Sequence, residues 1–218
     1  MRASLSGAVL VAFAVNLVGC STTSAPEEVS SPTFTPASSA SAAGELANEI
    51  EDLPKKDRVD FFADAMAAGR GGTAKKTAPV TARPATVGEV VVSRLEGDGI
   101  ETVSSAAEDG DMVVRSDCGE NTETEILVSS EKFPTRYGAP QDSPDAEGYQ
   151  RYLPSGEPMN YVVVTNDDGA FSIEAPWGEA MVVRPGDALV QNQADPQDIY
   201  RIYGPAFTCT YEITETAP

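Results

Sequence analysis

Three features predict a mainly β fold of two related small units packed together, as a sandwich or small barrels, preceded by one or two short helices. The first is a series of short β-branched or aromatic runs at residues 90–92, 112–114, 126–128, 161–164, 171–173, 181–183, 189–190 and 199–202. Turn residues bound them, as in Gly97-Asp98-Gly99, Asp167-Asp168-Gly169 and Pro176-Trp177-Gly178. Short strands with regular turn signals mark sandwiches and barrels. The second feature is a pattern that occurs twice. Gly110-Asp111 opens a strand at 112–114, a second strand follows at 126–128, and Phe133-Pro134-Thr135-Arg136-Tyr137 closes the copy. Gly186-Asp187 opens a strand at 188–190, a second follows at 199–202, and Phe207-Thr208-Cys209-Thr210-Tyr211 closes that copy. Such duplication usually means units that must pack together to bury their apolar faces. The third feature is helical spacing upstream. Leu46, Ile50 and Leu53, then Val59, Phe62 and Met66, recur at three- to four-residue intervals.

The helices come first. Pro54 is tolerated in the first turn of a helix but not inside one. This spacing therefore predicts a short helix over 45–52 and a stronger one over 54–68, ended by Gly69, so that residues 45–69 form a helical segment. The stripe of the second helix suits its own protein's core, with a partner-docking helix as the sharper reading. Residues 70–87 carry Gly71-Gly72, Pro84 and four basic side chains, and are expected to be a linker. The duplicated β domain is then expected over 88–213, with copies at about 88–137 and 159–213. Polar residues 138–158 would connect the copies. Asp168-Gly169, between the runs at 161–164 and 171–173, reads as a hairpin turn. Ser129-Ser130-Glu131 before Phe133, and Gly204-Pro205 before Phe207, read as starts of a single helical turn.

The N-terminal stretch has a different character. Met1-Arg2 supplies one positive charge, and residues 7–18 are apolar apart from Asn16. That run is too short to span a bilayer comfortably and has the length of a signal-peptide core. It ends in Leu17-Val18-Gly19-Cys20, followed by Ser21-Thr22-Thr23-Ser24. These residues resemble the lipobox of bacterial lipoproteins, where Leu, a small or β-branched residue and Gly precede an invariant Cys. The resemblance implies a signal peptide over 1–19, cleavage after Gly19, and a diacylglyceryl group on Cys20, which would become the mature N-terminus. It implies palmitate-type acyl chains and a lipid-anchored position on the outer face of the cell membrane. Each buried CH₂ contributes about 0.8 kcal/mol, so two or more chains hold a protein stably. Residues 20–44 are mostly Ser, Thr, Ala and Pro, and are expected to be a disordered, lipidated tether.

Three cysteines are an odd number for an exported chain. With Cys20 acylated, Cys118 and Cys209 remain as an even pair in a compartment that permits disulfides, and a bond between them is expected. Two buried free thiols are the alternative.

A second resemblance concerns copy 2. Trp177-Gly178-Glu179-Ala180-Met181, Pro185-Gly186-Asp187 and Phe207-Thr208-Cys209-Thr210-Tyr211-Glu212 are similar to a small β module of phage and bacterial proteins. That module also has a Gly-Asp turn and a Phe-x-x-Thr-Tyr-Glu ending. Copy 1 shares the pattern more faintly, with Arg136-Tyr137-Gly138 in place of the ending. The resemblance implies a β fold and no particular chemistry.

Few catalytic chemistries fit this composition. The chain has no His, which excludes Ser-His-Asp and Cys-His arrangements and most zinc sites. It has no phosphate-binding or dinucleotide fingerprint. Acidic pairs such as Glu108/Asp109 and Asp167/Asp168 sit in turns and are expected by chance among 34 Asp plus Glu. The reading is a protein that is not an enzyme and needs no metal or cofactor. Residues 88–218 hold 25 Asp plus Glu against seven Lys plus Arg, a net of −18. That surface disfavours nucleic acid and suits a cationic partner. Trp177, the sole Trp, lies in a turn and is the candidate interface anchor. The function expected is binding or scaffolding of a protein or cell-wall partner through the acidic β domain. The alternative is a small ligand held in a pocket between the two β units.

Overall fold

The computed structural model describes residues 36–95, 99–116 and 124–216. The expected signal peptide, Cys20, Cys118 and residues 20–35 of the expected tether lie outside them. Two helices lead: α1 (Pro36–Glu51) and α2 (Arg58–Ala67). Asp57 caps α2, its carboxylate accepting from the Val59 and Asp60 N–H groups, which offsets two of the unpaired donors at a helix start. The predicted second helix thus starts later than Pro54 suggested. The first starts nine residues earlier than expected, inside the Ser/Ala-rich segment read as tether. Ala is the best helix former, and Ala42 and Leu46 are buried, so packing holds this stretch helical.

The strands of the first half are β1 (Gly71–Lys76), β2 (Val80–Pro84), β3 (Val92–Leu95), β4 (Gly99–Val103), β5 (Met112–Ser116) and β6 (Thr124–Val128). A helical turn, α3 (Phe133–Arg136), and β7 (Tyr137–Pro140) follow. The second half repeats the series: β8 (Gln150–Pro154), β9 (Met159–Val163), β10 (Phe171–Glu174), β11 (Ala180–Val183), β12 (Ala188–Asn192) and β13 (Asp195–Ile202). It too closes with a helix, α4 (Gly204–Thr210), and a strand, β14 (Tyr211–Thr216). The mainly β prediction holds, and the two copies share strand order and turn placement. Neither sheet is a closed barrel.

The pairing exchanges strands between the copies. One five-stranded sheet runs β6-β5-β2-β8-β7 and the other runs β13-β12-β9-β1-β14, with β3-β4 and β10-β11 as separate hairpins. Every pairing between these strands is antiparallel. Each copy therefore places its first strand in the other copy's sheet. β1 sits between β9 and β14, and β8 occupies the equivalent place between β2 and β7.

The repeated Gly-Asp pair has the same local role in both copies. Gly110 and Gly186 take positive φ, 84° and 96°, which glycine adopts without steric cost. The Asp after each is buried and ties its turn to the start of the closing helix. Asp111 accepts from the Glu108 and Ser130 N–H groups, both at 2.9 Å. Asp187 accepts from the Arg184 N–H at 2.8 Å and the Gly204 N–H at 3.1 Å.

Both faces of the β13-β12-β9-β1-β14 sheet are apolar. Val162 and Leu189 face a core closed by Phe62 and Ala65 of α2 and by Phe171, Ile173, Met181 and Val183 of the hairpin. Tyr161, Ala188 and Val190 face the other way, toward Phe207 of α4. The inner stripe of α2 thus packs on its own β domain. Ala42 and Leu46 of α1 cover Ile100 of one hairpin and Val182 of the other.

Three expectations need correction. Residues 70–87 are not a linker, since they contain β1 and β2. A Cβ on Gly71 would collide with the Tyr161 carbonyl, and one on Gly72 with the Glu215 carbonyl, so close strand approach requires the glycines that read as a loop. Residues 138–158 contain β7 and β8 rather than a plain connector. The copies accordingly begin earlier than about 88 and 159. Asp168-Gly169 does not close a hairpin either, because β9 pairs with β12 and β1 while β10 pairs with β11. The Asp168 carboxylate instead accepts from the Thr165 N–H and hydroxyl, both at 2.8 Å, and closes one 3₁₀ turn that leads out of the sheet.

Candidate interaction site

Trp177 projects from the turn joining β10 to β11. Ala175 N–H to Glu179 O at 2.7 Å and Gly178 N–H to Ala175 O at 2.9 Å close that turn, with Gly178 at φ 90°. The indole is 50% exposed, yet it is held on one side. Its Nε1–H donates to Glu179 Oε2 at 2.8 Å, and Glu179 Oε1 accepts from the Ser105 N–H of copy 1 at 2.9 Å. One carboxylate therefore fixes the ring and joins the two copies.

The Trp177 ring lies 5.8 Å from that of Tyr200 on β13, at an interplanar angle of 53°. Arg136, the last residue of α3, places its guanidinium carbon 5.1 Å from the Tyr200 centroid. Trp, Tyr and Arg from three elements of both copies thus form one ladder. It continues inward, where Lys76 of β1 donates to the Tyr137 hydroxyl at 3.3 Å. The same ammonium lies 5.6 Å from the Tyr137 ring and 6.0 Å from the Tyr211 ring. Burial pushes the phenols of Tyr200 and Tyr211 above their ordinary range, so they stay neutral where carboxylates are charged.

The described concavity, of about 400 Å³, lies elsewhere. It is an open basin beside α2, lined by Lys56, Asp57, Asp60, Phe61, Asp64, Arg70 and Asp168. Both of its lining cations are already engaged. Lys56 lies over Phe171 at 4.2 Å and donates to the Asp168 carbonyl, while Arg70 pairs with Asp168 at 2.5 Å. Burial alone would raise the Asp168 carboxyl, but the bonds from Thr165 and Arg70 carry it below its ordinary value.

A buried charge cluster binds copy 1 to copy 2. Arg201 of β13 donates from Nε to Asp187 Oδ2 at 2.8 Å and from Nη2 to Oδ1 at 3.1 Å. Its Nη1 donates to Glu101 Oε1 at 2.5 Å, and the Ser93 hydroxyl donates to Glu101 Oε2 at 2.7 Å. All four residues are buried. The cluster ties the β3-β4 hairpin to the second Gly-Asp turn. No sequence motif marks Arg136, Tyr200, Glu101 or Arg201 as a site residue. A usable signal existed for Arg201, which is two residues beyond Ile199 and so shares its inward face.

Of the site residues expected from sequence, Trp177 is on the surface as described and Cys209 is exposed on α4. Cys20 and Cys118 lie outside the described residues. Among the described residues, no group of three or more His, Cys, Asp or Glu is placed to hold a metal ion. Among them also, no helix is long and apolar enough to cross a membrane. Comparison with protein-family models, curated proteins and solved structures finds no match for this chain.

Proposed function

We propose that this chain is a non-catalytic, lipid-anchored envelope lipoprotein that binds a protein or cell-wall partner through its acidic β domain. The observation that carries the binding half is Trp177, half-exposed but fixed by Glu179 and laid against Tyr200. An exposed indole held in one orientation loses little freedom on binding and supplies a large contact area. Trp, Tyr and Arg are also the residues enriched at the energetic centres of interfaces. The anchoring half rests on Leu17-Val18-Gly19-Cys20 after the apolar core.

Each half has its own test. A photo-cross-linking residue at Pro176, beside Trp177, should capture the same discrete partner from intact cells in replicate experiments. Capture should fall at least tenfold in Trp177→Ala, a loss of about 1.4 kcal/mol or more. Undiminished capture in that variant would overturn the proposed face. Mass spectrometry of the mature N-terminal peptide should show an acylated Cys20, and Cys20→Ala should release the protein from the membrane fraction. An unmodified N-terminus would end the anchoring proposal.

A further inference from the structure

Building on the reading that the Trp177 face takes a partner, we propose that Arg136 receives a single carboxylate from a protein partner whose surrounding surface is basic. The argument starts from pairing. Arg70, Arg83, Arg115, Arg184 and Arg201 each take a carboxylate, and Arg58 takes two backbone carbonyls. Arg94 and Arg151 are exposed to water. Arg136 is half-buried and lies against the Tyr200 ring; among the described residues no carboxylate is within 4 Å of it, and the nearby Asp198 carboxylate, which favours its charged form, has Lys132 at 3.9 Å. On a domain with 25 acidic groups this is a conspicuous exception. A guanidinium partly withdrawn from water and stacked on an aromatic face keeps its planar donor fork free for a carboxylate. Lys76, with its ammonium at Tyr137 and Tyr211, adds a second cation to the same aromatic group, with no carboxylate in ion-pair range among the described residues.

The geometry couples this anchor to the exposed indole. Both flank Tyr200, so the Trp177 ring and the Arg136 guanidinium lie within about 11 Å of each other. One short peptide segment, about 3.3 Å per extended residue, spans both with three or four residues. The net charge selects the rest of the occupant. A polyanion would meet −18 across residues 88–218 and be repelled, whereas an isolated carboxylate feels the adjacent Arg136 most strongly at a Debye length of about 8 Å. Basic neighbours on the partner would meet the acidic surroundings favourably. The occupant is therefore a cationic segment with one acidic residue or terminal carboxylate and an apolar residue three or four positions away.

The test uses the full-length chain and the emission of its sole Trp. Two Lys-rich decapeptides are titrated, each with one Leu, differing only in a Glu or a Gln four residues from it; polyphosphate is the third probe. The Glu peptide should shift Trp177 emission and bind about tenfold tighter than the Gln peptide. That preference should vanish in Arg136→Gln and persist, reduced, in Arg136→Lys, with thermal melts showing each variant folded. If Arg136→Gln does not fold, Arg136→Lys decides by whether the preference shrinks. Absence of binding, equal affinity for the two peptides, a preference indifferent to Arg136, or Arg136-dependent binding of polyphosphate tighter than of the peptide would each overturn the proposal. The two readings separate cleanly. Partner capture that depends on Trp177 but not on Arg136 leaves the proposed face standing and removes the carboxylate anchor. A carboxylate preference that survives loss of Trp177-dependent capture does the reverse.

Discussion

A single buried arginine side chain ties the copies together. Arg201 is buried with two carboxylates, Asp187 and Glu101, both out of water. Removing one partner of such a cluster leaves charge stranded in a medium that solvates it poorly. Arg201→Met should cost roughly 3–5 kcal/mol in denaturant unfolding. Adding Glu101→Gln and Asp187→Asn to that variant should recover much of the loss, because no buried charge then remains unmatched. Equal stability of Arg201→Met and the parent would refute this account. A second pair governs acid sensitivity. Arg83 donates to both oxygens of Glu89 at 2.6 and 3.0 Å, holding that carboxyl below its ordinary value, with help from the Thr86 N–H. The folded pKa thus lies under the unfolded one, near 4.3. The stabilisation is complete above the unfolded pKa and disappears as pH falls through the folded one. Glu89→Gln should therefore lose about 1–2 kcal/mol at neutral pH and converge with the parent in acid. Parallel stability curves for the two proteins across pH 2–7 would contradict it.

At the scale of elements, legibility followed composition. The eight apolar runs all coincide with strands or border them, because β-branched residues fit a pleated, half-buried surface whatever their partners. The closing turns α3 and α4 were likewise readable from Ser129-Ser130 and Gly204-Pro205. β1 was not. Gly71-Gly72-Thr73-Ala74-Lys75-Lys76 has almost no strand preference, and its pairing is imposed by β9 and β14 on either side. The candidate site was legible only in part. Trp177 announced itself as the sole Trp in a turn, but its neighbour Tyr200 is 23 residues away and Arg136 is 41, proximity that the fold creates. The disulfide belongs to this scale as well, since a Cys118–Cys209 bond would link the β5-β6 connection to α4. It would close a loop of about 90 residues and stabilise by roughly 4–5 kcal/mol in the chain-entropy model. Thiol titration of the unfolded, unreduced chain tests it. Reactive thiols at both Cys118 and Cys209 would exclude the bond; neither reacting in a monomer would establish it.

The molecule as a whole is a duplication whose halves are not self-sufficient. Each five-stranded sheet needs an inner strand, next to its edge strand, from the other copy, so cutting the chain between β7 and β8 should leave two fragments with broken sheets. Residues 36–145 and 146–218, made separately, should be poorly ordered alone and regain β structure when mixed, measured by far-UV circular dichroism and sedimentation. Two stable, independent monomers would show that the exchange contributes little.

The exchange also sets an order in time. Among the described residues β1 is the first strand to leave the ribosome, and its last partner, β14, ends 140 residues later. At about 5–20 residues per second, β1 waits roughly 4–17 s for β9, which ends 87 residues after it, and roughly 7–28 s for both partners. A Val- or Ile-rich strand left open that long would invite pairing with other chains. Two glycines, an alanine, a threonine and two lysines form a strand that cannot easily find the wrong partner. The blandness that hides β1 in the sequence is what lets it wait.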